Sequence, residues 1–222
     1  MKGLLLKDWF VLWKQGRWML LLSVLYAVIA VVGDNLFFVG FTVLFLSMLP
    51  ITALGFDERS HWDRYALTMP YTRRQIVCGK YLLSLIGMAA AALLYILLAV
   101  GVLLFSDTPL DIAGLALVLG TMLAIGFLFS ALNFPIMFKL GVEKGRLWFI
   151  LITVGLILFV GVWNALVEET VASDALFGTL ADSAGSLIPE MTLAYGVFLV
   201  LSPLLFLLSL PLSVRLYEKR EL

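Results

Sequence analysis

The residues with chemistry to offer are gathered in one stretch, Asp57 to Tyr81, reading DERSHWDRYALTMPYTRRQIVCGKY. It holds the only His (His61), the only Cys (Cys78) and five of the fifteen Lys and Arg residues. As a catalytic inventory this is poor. One His and one Cys cannot supply a metal-ligand set, and a single Cys rules out an internal disulfide. No G-x-x-x-x-G-K-[ST] run is present, so the chain has no loop of its own to cradle nucleotide phosphates. The stretch offers recognition instead: aromatic anchors set among charges, on short helical segments.

The rest of the sequence is built to hold that stretch in a bilayer. The 222 residues are 63% hydrophobic and 14% charged, with a mean hydropathy of +1.08, far outside the range of soluble domains. Several apolar runs approach twenty residues, the length of a spanning helix. They are continuously apolar, whereas a β-barrel needs polar/apolar alternation. The expected fold is therefore an all-α polytopic membrane protein forming one domain over 1–222, with six transmembrane helices.

Residues 2–17 are too charged to span and too apolar to be a solvated tail. At helical spacing Leu5, Leu6, Trp9, Phe10, Leu12 and Trp13 gather on one side, and Lys7, Asp8, Lys14 and Gln15 on the other. This predicts an interfacial elbow helix anchored at headgroup depth by Trp9, Trp13, Lys14 and Arg17. Lys7 and Asp8 interrupt the apolar run and no small-residue cleavage site follows, so the segment is read as retained. The expected spans are 18–32, 36–56, 82–105, 112–138, 147–167 and 191–214, with a tight turn at Gly33-Asp34-Asn35. A longer acidic segment, 168–190, separates the last two.

Charge gives the orientation. All fifteen Lys and Arg residues fall in four places: before span one, between spans two and three, between four and five, and after six. The three opposite loops carry only acids, Asp34, Asp107, Asp111, Glu168, Glu169, Asp174, Asp182 and Glu190. The positive-inside rule then puts both termini and the Asp57–Tyr81 loop in the cytosol, with the cell membrane as location.

No Asp, Glu, Lys, Arg or His falls inside the spans as drawn. Ion-coupled transporters need such groups near the midplane to bind or relay the driving ion. The Glu168-Glu169 pair resembles the paired glutamates of CAAX-type intramembrane proteases. The Arg that should follow and the further His ligands are missing, so that reading fails. Small-xxx-small pairs (Gly87 and Ala91, Gly120 and Ala124, Gly126 and Ser130) permit close helix packing. Asn133, Pro135, Pro203 and Pro211 mark candidate kinks.

Within the organising loop, Trp62, Tyr65, Ala66 and Met69 recur at helical spacing, which predicts a short amphipathic helix with Arg59 and Asp63 paired at i,i+4. Pro70 pushes Met69 out of the helical region and ends it. Thr72 and Gln75 then form a capping box that starts a second helix leading into span three. Arg73 and Arg74 sit in its first turn, where the helix dipole disfavours cations by about 0.3–1 kcal/mol each. Two settings would offset this: the anionic inner leaflet, or an acidic groove on a partner. The resulting knob suits helix-in-groove docking with Trp62 and Tyr65 as anchors.

The opening MKGLLLKD and the run from Glu58-Arg59 and Trp62 through Tyr65, Met69-Pro70, Thr72-Arg73-Arg74-Gln75 to Lys80-Tyr81 resemble the permease subunits of ABC-type exporters. The similarity is to the bacterial branch that exports peptide toxins and antibiotics, such as phenol-soluble modulins and bacitracin. That family usually has Leu-Pro where this chain has Met69-Pro70. The resemblance implies an elbow helix before span one and a coupling loop that contacts a separate ATPase through Glu58, Arg59, Trp62, Tyr65, Pro70, Arg73 and Arg74. It further implies a second permease copy, external re-entrant helices in 168–190 (Phe177, Leu180 and Leu187 among them) and no catalysis or cofactor on this chain. No nucleic acid is expected as partner. The reading from another class is a non-transporting membrane scaffold or sensor whose knob recruits a cytosolic protein.

Overall fold

The computed structural model describes residues 2–15, 17–32, 36–69, 71–105, 112–172 and 189–219. Among the described residues all regular structure is helical: α1 (Lys2–Gln15), α2 (Arg17–Val32), α3 (Leu36–Ser47), α4 (Leu49–Arg59), α5 (Trp62–Thr68), α6 (Arg73–Phe105), α7 (Ile112–Leu140), α8 (Val142–Ala172) and α9 (Pro189–Glu218). Four stretches there are long and apolar enough to cross a bilayer: Gly40–Arg59, Arg73–Gly101, Leu115–Leu140 and Gly196–Glu218. The pair formed by α1 and α2, bent by 74° at its junction, would make a fifth. The expected span five lies within α8. The expected turns at 33–35 and 106–109, and the 173–188 part of the acidic segment, lie outside the described residues.

α7 runs along α9, and α3 is enclosed by α2, α6 and α7. One core cluster joins α6, α7 and α9 through Tyr81, Phe134, Phe138, Phe206 and Tyr217. Their rings meet edge-on or tilted, Tyr81 to Phe134 at 4.6 Å and Phe138 to Tyr217 at 5.4 Å between centroids, as ring quadrupoles favour. The Tyr81 hydroxyl is satisfied inside this cluster by Ser213 Oγ at 2.7 Å and Ser209 Oγ at 2.8 Å. Ser84 and Ser130 pair at 2.9 Å one layer further in. Buried hydroxyls thus meet each other across helices, which apolar surroundings require of them.

The Gly40–Arg59 span is interrupted at Met48, between α3 and α4, with Pro50 in the first turn of α4. Pro50 has no N–H to offer the Leu46 carbonyl four residues earlier. That carbonyl instead faces α6, where a Cβ added to Gly87 would lie only 2.7 Å from the Leu46 oxygen. Glycine is what lets the two backbones approach here. Gly126 does the same for α7, its missing Cβ leaving room for Val43 and Met88. Two of the small-residue pairs seen in the sequence therefore sit at real helix contacts. In α9, Pro203 frees the Leu199 carbonyl, and Ser202 Oγ reaches it at 3.4 Å.

Gly87→Ala should drive a methyl into the Leu46 carbonyl and lower stability by about 1–3 kcal/mol, the usual cost of overpacking. Gly79→Ala, with open space at its Cβ, serves as control. Thermal melting in detergent should show a clear drop for the first substitution and none for the second.

Candidate functional site

At the foot of the 57–81 segment, four charged side chains from three helices form a closed cluster. Lys80, in the third turn of α6, is 3% exposed, and Asp8 of α1 and Asp57 of α4 are 3% and 5% exposed. The Lys80 ammonium bridges both carboxylates, 2.8 Å from Asp8 Oδ2 and 2.7 Å from Asp57 Oδ2. Lys7 closes the ring from the solvent side, 3.1 Å from Asp8 and 2.5 Å from Asp57. Two positive and two negative charges leave the cluster neutral. Its burial is tolerable only because each charge is paired.

This cluster decides how α1 lies. The sequence put Lys7 and Asp8 on a polar side facing away from the bilayer. The structure instead buries a stripe of Leu4, Asp8 and Leu12 against the protein and leaves Leu6, Trp9, Phe10 and Trp13 exposed. The expected apolar face is therefore split, because the buried Lys80 and the α4 end draw Asp8 inward. Of the four expected anchors, Trp9 and Trp13 are outward and stacked at 6.2 Å. Lys14 and Arg17 are exposed where α1 meets α2.

The knob above the cluster differs from expectation in one respect. α4 ends at Arg59, and His61 adopts a left-handed conformation (φ 51°, ψ 30°) before α5 begins at Trp62. Arg59 and Asp63 therefore lie on separate helices, and the expected i,i+4 register between them does not exist. Two local expectations hold: Met69 is extended (φ −89°, ψ 166°), and Thr72 and Gln75 exchange capping-box bonds of 3.1 and 3.3 Å. Pro70 lies outside the described residues.

The residues singled out in the loop divide into two sets. Glu58 is half-buried and accepts a hydrogen bond from the Val142 N–H at the start of α8, where a carboxylate suits the helix dipole. Arg73 is half-buried and donates to the Tyr217 and Glu218 carbonyls at 3.0 and 2.8 Å. It thus caps the C-terminus of α9, and the favourable field there offsets its unfavourable place at the start of α6. This is neither of the two settings expected from sequence. Trp62 is half-buried, packs on the main core and has the Lys7 ammonium 4.5 Å from its ring centroid, a cation–π distance. Tyr65 touches the Trp62 ring at 5.4 Å and is itself 56% exposed. Arg59 and Arg74 are exposed. The inward set ties the segment to α1, α8 and α9, and the outward set is what a partner can reach.

Lys7, Asp8, Asp57 and Lys80 went unrecognised as a group in the sequence. Their signal is the Lys7-Asp8 pair breaking an apolar run and a charge directly flanking an apolar run at each of Asp57 and Lys80. Among the described residues, no group of three or more His, Cys, Asp or Glu side chains could hold a metal ion.

Removing Lys80 leaves two buried carboxylates facing one ammonium. Lys80→Met should cost about 3–5 kcal/mol, as breaking a buried pair does. Adding Asp8→Asn leaves Lys7 and Asp57 as a matched pair and should recover most of that loss. Melting of the single and double variants in detergent checks both; a double variant no better than the single would show the charges are not coupled.

Comparison with known proteins agrees with this architecture. A family profile described as ABC-2 family transporter protein matches residues 3–218. No match was found among curated proteins. With the helical membrane architecture and a profile covering nearly the whole chain, the protein belongs to the ABC-2 transporter family, as a multi-pass membrane protein.

Proposed function

We propose that this chain is the permease subunit of an ATP-driven exporter in the plasma membrane, energised by a separate cytosolic ATPase docked on the 57–81 knob. Six spans, an elbow helix at α1 and cytosolic termini complete this reading, supported by the segregation of all Lys and Arg to one side. Two copies would form the path between them. The cargo class that best suits uncharged spans is an amphipathic peptide, antibiotic or lipid-like molecule, as in the toxin- and antibiotic-exporting branch.

The observation that carries the proposal is the division of the knob. Arg59, Tyr65 and Arg74 face outward, while Asp57, Glu58, Trp62, Arg73 and Lys80 bind it to α1, α6, α8 and α9. A push on the outer residues therefore reaches several helix ends at once. ATP binding would favour the arrangement in which the knob contacts the ATPase better, and that differential contact shifts the membrane helices with it.

The test separates contact from scaffold. Tyr65→Ala with Arg74→Ala should leave the protein inserted and its melting unchanged, since both side chains are exposed. Binding to the cognate ABC ATPase should weaken about tenfold or more, the usual loss at an aromatic or Arg anchor. Co-purification and ATP-dependent export are the readouts. Export at the wild-type rate would remove the knob as docking site. Failure of the unaltered protein to bind any ATPase would leave the recruiting scaffold as the reading.

A further inference from the structure

At the bend between α1 and α2 lies an open groove of about 700 Å³ lined by Phe10, Trp13, Lys14, Arg17, Leu20, Leu21 and Val24. Its walls are apolar, and the only charges on them are Lys14 and Arg17. Both are exposed. Lys14 sits in the last turn of α1, but Arg17 opens α2, where the helix dipole works against a cation. Arg73 has an equally awkward start position and is compensated by the end of α9. Arg17 has the Trp18 ring 5.9 Å from its guanidinium carbon, a weak cation–π contact at an exposed site, and no acidic residue stands in the groove lining.

We propose that the groove holds one anionic phospholipid, its acyl chain along Phe10, Leu20, Leu21 and Val24 and its phosphate between Lys14 and Arg17. Depth supports a lipid over a soluble anion. α2 has sixteen residues and is apolar from Trp18 onward, about 24 Å of helix at 1.5 Å per residue. The two cations stand at the N-terminal end of that apolar stretch, which is headgroup level for a spanning α2, with the aromatic rings of α1 beside them. Charge favours an anionic over a zwitterionic headgroup. A second protein copy fits less well, since two exposed cations at the rim would remain unmatched in a contact with the same face. The inference rests on membrane embedding alone and stands whether or not the knob binds an ATPase.

Native mass spectrometry of the detergent-purified chain, titrated with phosphatidylglycerol or phosphatidylcholine, is the test. One phosphatidylglycerol per chain should be retained, with a preference of about 30-fold, as two near-surface cations supply. Lys14→Gln with Arg17→Gln should reduce that preference below about threefold, and Arg17→Lys should keep most of it. Val24→Trp, which fills the groove while keeping both cations, should lower retention of both lipids. Equal retention of the two lipids by wild type would overturn the proposal. So would competition by glycerol phosphate as effective as by the intact lipid, which marks a headgroup-only anion site, or a dimer whose formation excludes lipid.

Discussion

The structure depends on one ammonium group. Lys80 lies buried between Asp8 and Asp57, joining α1, the end of α4 and the start of α6. An isolated charge at that depth would cost several kcal/mol after relaxation. The cluster avoids this by matching two cations with two anions, so each helix needs the other two in place before its own charge can be buried. Hydrophobic packing would hold the same helices with less positional demand. Ion pairs with fixed distances set where α1 lies and how the knob enters the membrane. Trp62 extends the arrangement, since its ring receives the outer face of Lys7.

From this base the polar contacts of the 57–81 segment run to distant parts of the chain. Glu58 reaches the start of α8, and Arg73 reaches the end of α9, across 84 and 144 residues of sequence respectively. Both bonds place a charged side chain at a helix end of opposite partial charge. Neither depends on side-chain pairing within one helix. The segment is therefore less a loop between two spans than a hub at which five helices terminate. Among the side chains it leaves outward are Arg59, Tyr65 and Arg74, two cations and an aromatic ring, residue types enriched at interface anchors.

Much of this architecture was legible in the sequence, for reasons that are local. Apolar run length gave the helical membrane class, and the Thr72–Gln75 capping box and the extended Met69 before Pro70 follow from chemistry within three residues. The break at His61 did not show, because helical spacing of Trp62, Tyr65, Ala66 and Met69 continues cleanly while the backbone turns just ahead of it. The charge cluster was invisible for a different reason. The contacts that join its three helices span 23 to 72 residues of sequence, and helical amphipathicity by itself assigns a charged residue to the wet side of its own helix. Asp8 was placed outward by that rule and lies inward because of a partner on another helix. Arg73 follows the same rule: its macrodipole penalty at the start of α6 is visible in the sequence, but the compensating field belongs to α9.

The meeting of Pro50 and Gly87 has a consequence for how this protein can change over time. The proline leaves the Leu46 carbonyl without its helical donor, and the glycine gives that oxygen a place to rest. Each residue is acceptable because of the other. Were Pro50 replaced by a residue with an N–H, the carbonyl would turn back into its own helix, and position 87 would become free to carry a methyl. Among descendants of this sequence the two positions should accordingly drift as a pair, with loss of the proline opening the way for loss of the glycine and seldom the reverse.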